Sequence, residues 1–212
     1  PVTPPLEPKP PVDIPATPDG TVLAVAQALA DGNPRGFWDA MPPSYQTDVN
    51  NLVRKSTELS DPEVWAKGTA LMSRMVGILQ ERQEFIFNTP MLAAVPNKEK
   101  AIEGWDAIVG LLDTLVNSDL SDREKMLHFD GGELLGTTGA QILDQVKVVA
   151  QLAPGDDFGK MMDQLQGLTA AVTNASAGVA DVQINVPNVT NHVEKFVQVE
   201  SRWIPETLAK DW

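Results

Sequence analysis

The chain has no cysteine, few histidines and few basic residues. The absence of cysteine excludes disulfides, thiolate metal sites and cysteine nucleophiles, and only two histidines are present. No apolar run reaches the roughly 18 residues that a membrane-spanning helix needs. Sixteen Lys and Arg stand against 29 Asp and Glu, and the resulting net charge of -13 repels phosphate backbones and anionic lipid surfaces. We therefore predict no nucleic-acid partner and no transmembrane segment in this sequence.

The remaining composition is ordinary for a globular protein. Apolar residues make up 42% of the 212 positions and charged residues 21%. A chain of this length can bury a substantial core. We expect a single mainly helical domain over residues 19–212, preceded by a separate leader.

That leader, residues 1–18, contains eight prolines. Prolines lack the backbone N–H that helices and central strands require, so the segment should be an extended, semi-rigid spacer with a rise of about 3.1 Å per residue. The alternative is that the letters PLEPKPP form a ligand for an aromatic groove in another protein. The composition favours the spacer.

The first residue is Pro1 rather than Met. Together with the spacer, this favours a mature protein from which an export signal or a lipid-attachment segment has been removed. A tag remnant or an internal fragment is the alternative. We expect export to the periplasm or cell envelope of a bacterium, and a lipid tether upstream of the chain is left open.

Four apolar doublets recur every seven residues and predict one long helix. Seven residues are close to two helical turns, so the doublets lie on one side of a helix from about Pro62 to Phe87, and that wide face needs several neighbours to cover it. The same rhythm after Asn97 predicts a second helix, ending near Val116, that packs antiparallel on the first. The doublets are Val64-Trp65, Leu71-Met72, Ile78-Leu79 and Phe85-Ile86.

Near Gly178 the apolar period changes from helical to alternating. Residues 180–186 alternate Ala, Val, Ile and Val with polar residues, and 192–200 repeat the pattern with valines at 193, 197 and 199. These two strands predict an antiparallel β-hairpin near 179–204. A hairpin is only marginally stable alone, so its valine face should lie on the helices. The predicted fold is α+β, mainly α: a helical bundle followed by this hairpin.

Two segments carry a family resemblance: ALADGNPRGFWDAMPPSYQTDV near the start and VEKFVQVESRWIPETLAKDW at the end. They resemble uncharacterised exported bacterial proteins, including lipoproteins, some of which are similar to the cone-shaped nuclear-transport-factor-like fold. The resemblance covers about 40 residues. It implies an early helix with an aromatic-rich region, followed by a curved sheet that ends in a valine-rich strand, a turn and Arg-Trp. It implies no functional residues, because these proteins have no assigned activity.

The strongest candidate for acid-base or metal chemistry is His128, with Asp130 and Glu133 in the letters HFDGGE. Histidine titrates near neutral pH, and carboxylates can orient it or share a metal with it. The same letters also suit a helix end followed by a turn. Arg82 interrupts the apolar side of the doublet helix, so it either marks a pocket or extends to solvent. Trp203 either anchors a strand or marks a partner surface.

These observations lead to three functional hypotheses. The first is a non-catalytic binding or structural protein of the cell envelope, with a protein or small-molecule partner. The second is a small-molecule-binding domain with its pocket between hairpin and helices, where Arg82, His128, Asp130 and Trp203 are the candidate ligand contacts. The third is a hydrolase that uses the His128 region. No cofactor, metal site or catalytic residue is assigned.

Overall fold

The computed structural model describes residues 7–89, 98–152, 157–189 and 191–212. These residues form a mainly helical fold with a four-stranded antiparallel sheet in the C-terminal part, which confirms the predicted α+β class. The contacts divide the described chain into two compact units. Unit 1 takes the residues up to Asn51, with Asp130–Ala140 and Gly159–Trp212; unit 2 takes Leu52–Phe129 and Gln141–Phe158. The expectation of one domain over 19–212 stays a prediction.

The helices are α1 (Pro18–Ala30), α2 (Arg35–Ala40), α3 (Pro43–Leu59), α4 (Pro62–Glu81), α5 (Gln83–Phe87), α6 (Lys98–Val116), α7 (Arg123–Leu127), α8 (Gly131–Leu134), α9 (Ala140–Leu152), α10 (Asp157–Gln166) and α11 (Glu206–Asp211). A 3₁₀ turn spans Asp119–Ser121, and a π-helical turn spans Leu135–Gly139. The strands are β1 (Thr169–Ser176), β2 (Val179–Asn185), β3 (His192–Val199) and β4 (Arg202–Pro205).

The predicted hairpin is the centre of a larger sheet with strand order β1-β2-β3-β4. Strands β2 and β3 match the two predicted ones, whereas β1 and β4 were not predicted. Strand β1, TAAVTNAS, is almost entirely exposed and has no apolar alternation, and β4 has only four residues. Neither strand therefore carries the period-two signal on which the prediction depended.

The predicted valine face of β3 is wrong. Phe196 is 4% exposed, whereas Val193 is 55% exposed. Phe196 pairs with Ala180 of β2, and Ala180 and Val182 are buried as predicted for that strand. The large aromatic ring offers more apolar area than the valines, so the strand turns the ring inward.

In unit 1, Trp38 of α2 packs directly on the backbone of α8. Trp38 is 7% exposed, and a Cβ atom added to Gly131 would lie 2.3 Å from its ring. The N–H of Gly131 donates to Asn50 Oδ1 at 3.0 Å. Only glycine permits this close approach, so the Gly-Gly pair read as a turn from sequence begins a short helix under Trp38.

The described part of the proline-rich leader is bound to unit 1. The side chain of Ile14 is 6% exposed, so it belongs to the core. The predicted boundary at residue 18 does not separate this segment from unit 1, because its few N–H donors and its carbonyl groups find partners there. The contacts are Lys9 N to Gly136 O, Val12 N to Asp39 Oδ2, Asn33 Nδ2 to Pro10 O, Arg202 Nη1 to Ile14 O, and Trp203 Nε1 to Ala16 O.

In unit 2, α4 and α6 pack against each other as predicted. The indole of Trp65 donates to Ser121 O at 3.0 Å, and that of Trp105 donates to Leu79 O at 3.1 Å, which fits antiparallel helices. The predicted helix over 62–87 is interrupted at Arg82, whose φ of -110° and ψ of 20° depart from helical values. Met91, Leu92 and Val95 between the two helices predict that the connection over 89–96 is packed, and this segment lies almost entirely outside the described residues.

Candidate functional site

The sequence-predicted His128 and Asp130 each end or begin a helix. His128 is exposed and follows the last residue of α7, where its N–H donates to Lys125 O at 2.9 Å. Asp130 precedes α8, and its Oδ1 accepts from the N–H of Glu133 at 2.9 Å. This contact is an N-cap, which satisfies a free donor of the first helical turn. Within the described residues, no group of three or more His, Asp or Glu side chains could hold a metal ion.

Arg82 and Trp203 have different surroundings. Arg82 lies exposed at the junction of α4 and α5. Trp203 of β4 is half-buried, and its Nε1 donates to Ala16 O at 3.0 Å. This contact with the leader segment agrees with the interpretation of Trp203 as a strand anchor. The other histidine, His192, is exposed at the start of β3, and its Nε2 lies 2.8 Å from Glu194 Oε2.

The apolar doublets of α4 separate into two rows. The second member of each doublet belongs to an inner row, and the first member belongs to an outer row about 100° away around the helix. The inner row includes Val76, which is 2% exposed, the half-buried Trp65 and Leu79 that contact the α6 side, and Met72, which is 44% exposed and lines a cleft. We define the outer row as Val64, Gly68, Leu71, Met75 and Ile78.

The outer row is open to solvent along its whole length. Val64 is 69% exposed, Leu71 67%, Met75 43% and Ile78 49%, and no atom lies within 4 Å of a Cβ added to Gly68. Phe85 on α5 is 73% exposed. Monomeric proteins rarely leave apolar surface of several hundred Å² uncovered, and such patches mark binding surfaces. Sequence analysis predicted that the whole doublet face would be covered, and this is wrong for the outer row.

An apolar cleft of about 400 Å³ adjoins the outer row. It lies between the first half of α4 and the end of α6, so the helix packing that buries Trp65 also forms the cleft. Val64 and Gly68 contribute to both the outer row and the cleft wall. The remaining wall is mainly apolar and consists of Trp65, Thr69, Met72, Leu115, Val116, Leu120 and Ser121.

A second, more polar cleft of about 550 Å³ shares Trp65 and Ser121 with the first. Its wall includes Arg123, whose Nη2 donates to Thr57 O at 3.2 Å. The Nε of Arg123 is buried and has no hydrogen-bond partner among the described residues. This cleft is broad and open, so it suits contact with a surface better than enclosure of a substrate.

Comparison of the chain with models of known protein families, with curated proteins and with solved structures found no match. The resemblance to exported bacterial proteins and to the cone-shaped fold therefore stays a prediction. In the part of the chain that the structure describes, no helix combines the length and the apolar character needed to cross a membrane.

Proposed function

We propose that this protein is a non-catalytic binding or structural protein, and that the outer row of α4 is the surface through which it binds another protein. The observation that carries the proposal is the row of four large apolar side chains, each at least 43% exposed, on one side of a regular helix. The row adjoins an apolar cleft. Exposed apolar side chains at helical spacing are the anchors through which one helix binds a partner.

The spacing of the outer row supports a helical partner. Its members follow one another by four, three, four and three residues, which is the heptad spacing of a coiled-coil seam. Side chains at this spacing form knobs that fit between the side chains of a second helix. A membrane surface is a poorer match, because acidic Glu63, Glu81 and Glu84 accompany the row.

We further propose that the protein acts in a bacterial cell envelope, on the basis of the resemblance at the two ends of the sequence. Sequencing of the gene upstream of residue 1 tests this location. A signal segment with a lipid-accepting cysteine would support it, and a cytosolic start would contradict it.

Site-specific photocrosslinking tests the binding surface. The photoreactive residue p-benzoylphenylalanine is placed at position 71, in the outer row, and separately at position 73, which is exposed on another side of α4. The full chain is irradiated in the bacterium that produces it, and adducts are identified by mass spectrometry. We expect a defined protein adduct at position 71 and none at position 73.

The identified partner is then purified and its affinity is measured. Leu71→Glu should weaken binding at least tenfold, because it places a charge in the centre of the apolar row. Ser73→Glu adds the same charge elsewhere and should leave the affinity unchanged. Equal crosslinking at both positions, or equal affinity of both variants, would contradict the proposal.

An anionic small molecule bound at the open polar cleft is the second candidate function. Trp65 offers an aromatic face there, and the Arg123 Nε lacks a hydrogen-bond partner among the described residues. This location differs from the predicted pocket between hairpin and helices. A thermal-shift panel of anionic metabolites tests it: a ligand that stabilises the wild type but not Arg123→Met supports the candidate, and no stabilisation by any compound contradicts it.

A further inference from the structure

Building on the proposed function, we infer that the protein bound at the outer row is a second copy of this chain, with the two α4 helices antiparallel. The inference depends on three features of α4: the identity of the residues in the row, the charges beside the row and the area that pairing would cover.

The residues of the row fit an antiparallel pair better than a parallel one. In a parallel pair, Gly68 would face Gly68 and leave a void, and Arg82, the next position of the heptad, would face Arg82. In an antiparallel pair, Gly68 faces Ile78, Leu71 faces Met75, and the Arg82 stem faces Val64. The absence of any atom within 4 Å of a Cβ on Gly68 leaves room for the partner's Ile78.

The charges beside the row are complementary only in the antiparallel direction. Lys67, Arg74 and Glu81 follow one edge of the row at seven-residue intervals. Lys67 and Glu63 form an exposed ion pair of 2.7 Å within α4. Reversal of the second helix adds a second opposite charge to each of them, because Lys67 then lies beside the other copy's Glu81 and Glu63 beside the other copy's Arg82. At the centre of the pair, Arg74 lies beside Arg74 of the other copy. This is the single like-charge contact among these pairs.

The local charge also favours self-association. The chain as a whole carries a net charge of -13, which repels other copies. The charged residues around the row nearly cancel, since Lys67, Arg74 and Arg82 stand against Asp61, Glu63, Glu81 and Glu84. Two copies can therefore approach through this surface with less repulsion than through an average part of the surface.

The area is sufficient for a weak dimer. Complete burial of the outer row and Phe85 would remove at most about 1,100 Å² from solvent, summed over two copies. This value lies at the lower end of specific protein interfaces, so we expect a dissociation constant in the micromolar range. An interface of this size is occupied in a concentration-dependent manner.

Sedimentation velocity of the full chain tests the inference. Between about 1 and 300 µM, the weight-average mass of the wild type should rise from the monomer value of 22.9 kDa toward twice that value. Leu71→Glu should raise the dissociation constant at least tenfold, whereas Ser73→Glu should leave it unchanged. Circular dichroism verifies that both variants are folded.

A charge exchange tests the antiparallel direction. Lys67→Glu places two carboxylates together at each end of the pair and should weaken the dimer about threefold to tenfold, and addition of Glu81→Lys should restore it. Failure of the double variant to recover would overturn the antiparallel arrangement. A wild type that stays monomeric at 300 µM would overturn the dimer, and the proposed function would then depend on whether position 71 crosslinks to a different protein.

Discussion

Phe196 in unit 1 and Phe85 in unit 2 are the same residue type in opposite surroundings. Phe196 is 4% exposed within the sheet, and Phe85 is 73% exposed beyond the end of α4. Phe85 belongs to the doublet pattern of the sequence, whereas Phe196 lies outside the valine alternation of β3. The pattern shows that a position lies on an apolar face, but the neighbours that reach that face determine whether it is covered.

The two units differ in the same way along their main elements. In unit 1, Trp38 is covered by close contact with the backbone at Gly131. In unit 2, α4 covers Val76 and half-buries Trp65 and Leu79 of its inner row, whereas its outer row is open. Burial in unit 1 therefore serves stability, whereas the exposed row of α4 remains available for binding.

Replacement of the two phenylalanines tests this difference most strongly. Phe196→Ala should lower the free energy of unfolding by about 3–5 kcal/mol, because it leaves a cavity in a packed region. Phe85→Ala should change it by less than about 0.5 kcal/mol, because its ring contributes little to the monomer core. Urea denaturation of both variants at low protein concentration gives the two values, and similar losses would contradict the comparison.

Two glycines provide the second test. A methyl group at Gly131 would overlap the Trp38 ring, so Gly131→Ala should destabilise by about 1–3 kcal/mol. Gly77 in α4 has no atom within 4 Å of an added Cβ, so Gly77→Ala should stabilise by up to about 1 kcal/mol through helix propensity. Urea midpoints measure both effects. If Gly131→Ala stabilises the protein as Gly77→Ala does, then α8 shifts enough to accommodate the added methyl group.

The start of α4 provides a smaller test. Asp61 Oδ1 accepts from the N–H groups of Glu63 at 2.8 Å and Val64 at 3.0 Å. Asp61→Ala should lower the free energy of unfolding by about 1 kcal/mol because these donors lose their partner. Asp61→Asn retains a side-chain acceptor, so its free energy of unfolding should fall much less. If both variants lose the same amount, the charge rather than the cap stabilises this end.

The smallest expected effect concerns Glu206 in α11. The hydrogen bond from Lys210 lowers the pKa of this carboxyl below its ordinary value, and the nearby charges of Lys210 and Lys195 act in the same direction. A lowered folded-state pKa means that the carboxylate stabilises the fold above the unfolded-state pKa, and that this contribution is lost as the pH falls through the folded-state pKa. The NMR titration of Glu206 should shift upward in Lys210→Gln and stay unchanged in Lys55→Gln.

Local sequence signals predicted much of the helical scaffold. Asp61-Pro62 marked the start of α4, because a side-chain acceptor and a proline at the first helical position suit a helix N-terminus. The alternation around Val182 likewise located β2. Strand β1 was missed because its exposed, small side chains produce no period, and the burial of Phe196 was missed because the valines of β3 dominated the pattern.

The candidate site was less predictable than the scaffold. His128 and Asp130 attracted attention by residue type, yet both lie at helix ends with local backbone partners. The doublets identify Val64, Leu71 and Ile78 of the outer row but not Gly68 or Met75, and they predict a covered face rather than an open one. No local signal distinguishes a covered heptad from an open one, because both require apolar side chains at the same spacing.

The sequence by itself determined where α4 begins, that apolar residues follow it in doublets, and that the class is α+β with α predominant. These are consequences of hydrogen bonding and periodicity within one segment. Only the tertiary structure decided which side chains of the doublets are covered, because α6 and the turn after it lie against Trp65 and Leu79, whereas Val64, Leu71 and Ile78 stay exposed. The same rule holds in unit 1, where Trp38 is buried because distant Gly131 has no side chain to oppose its ring.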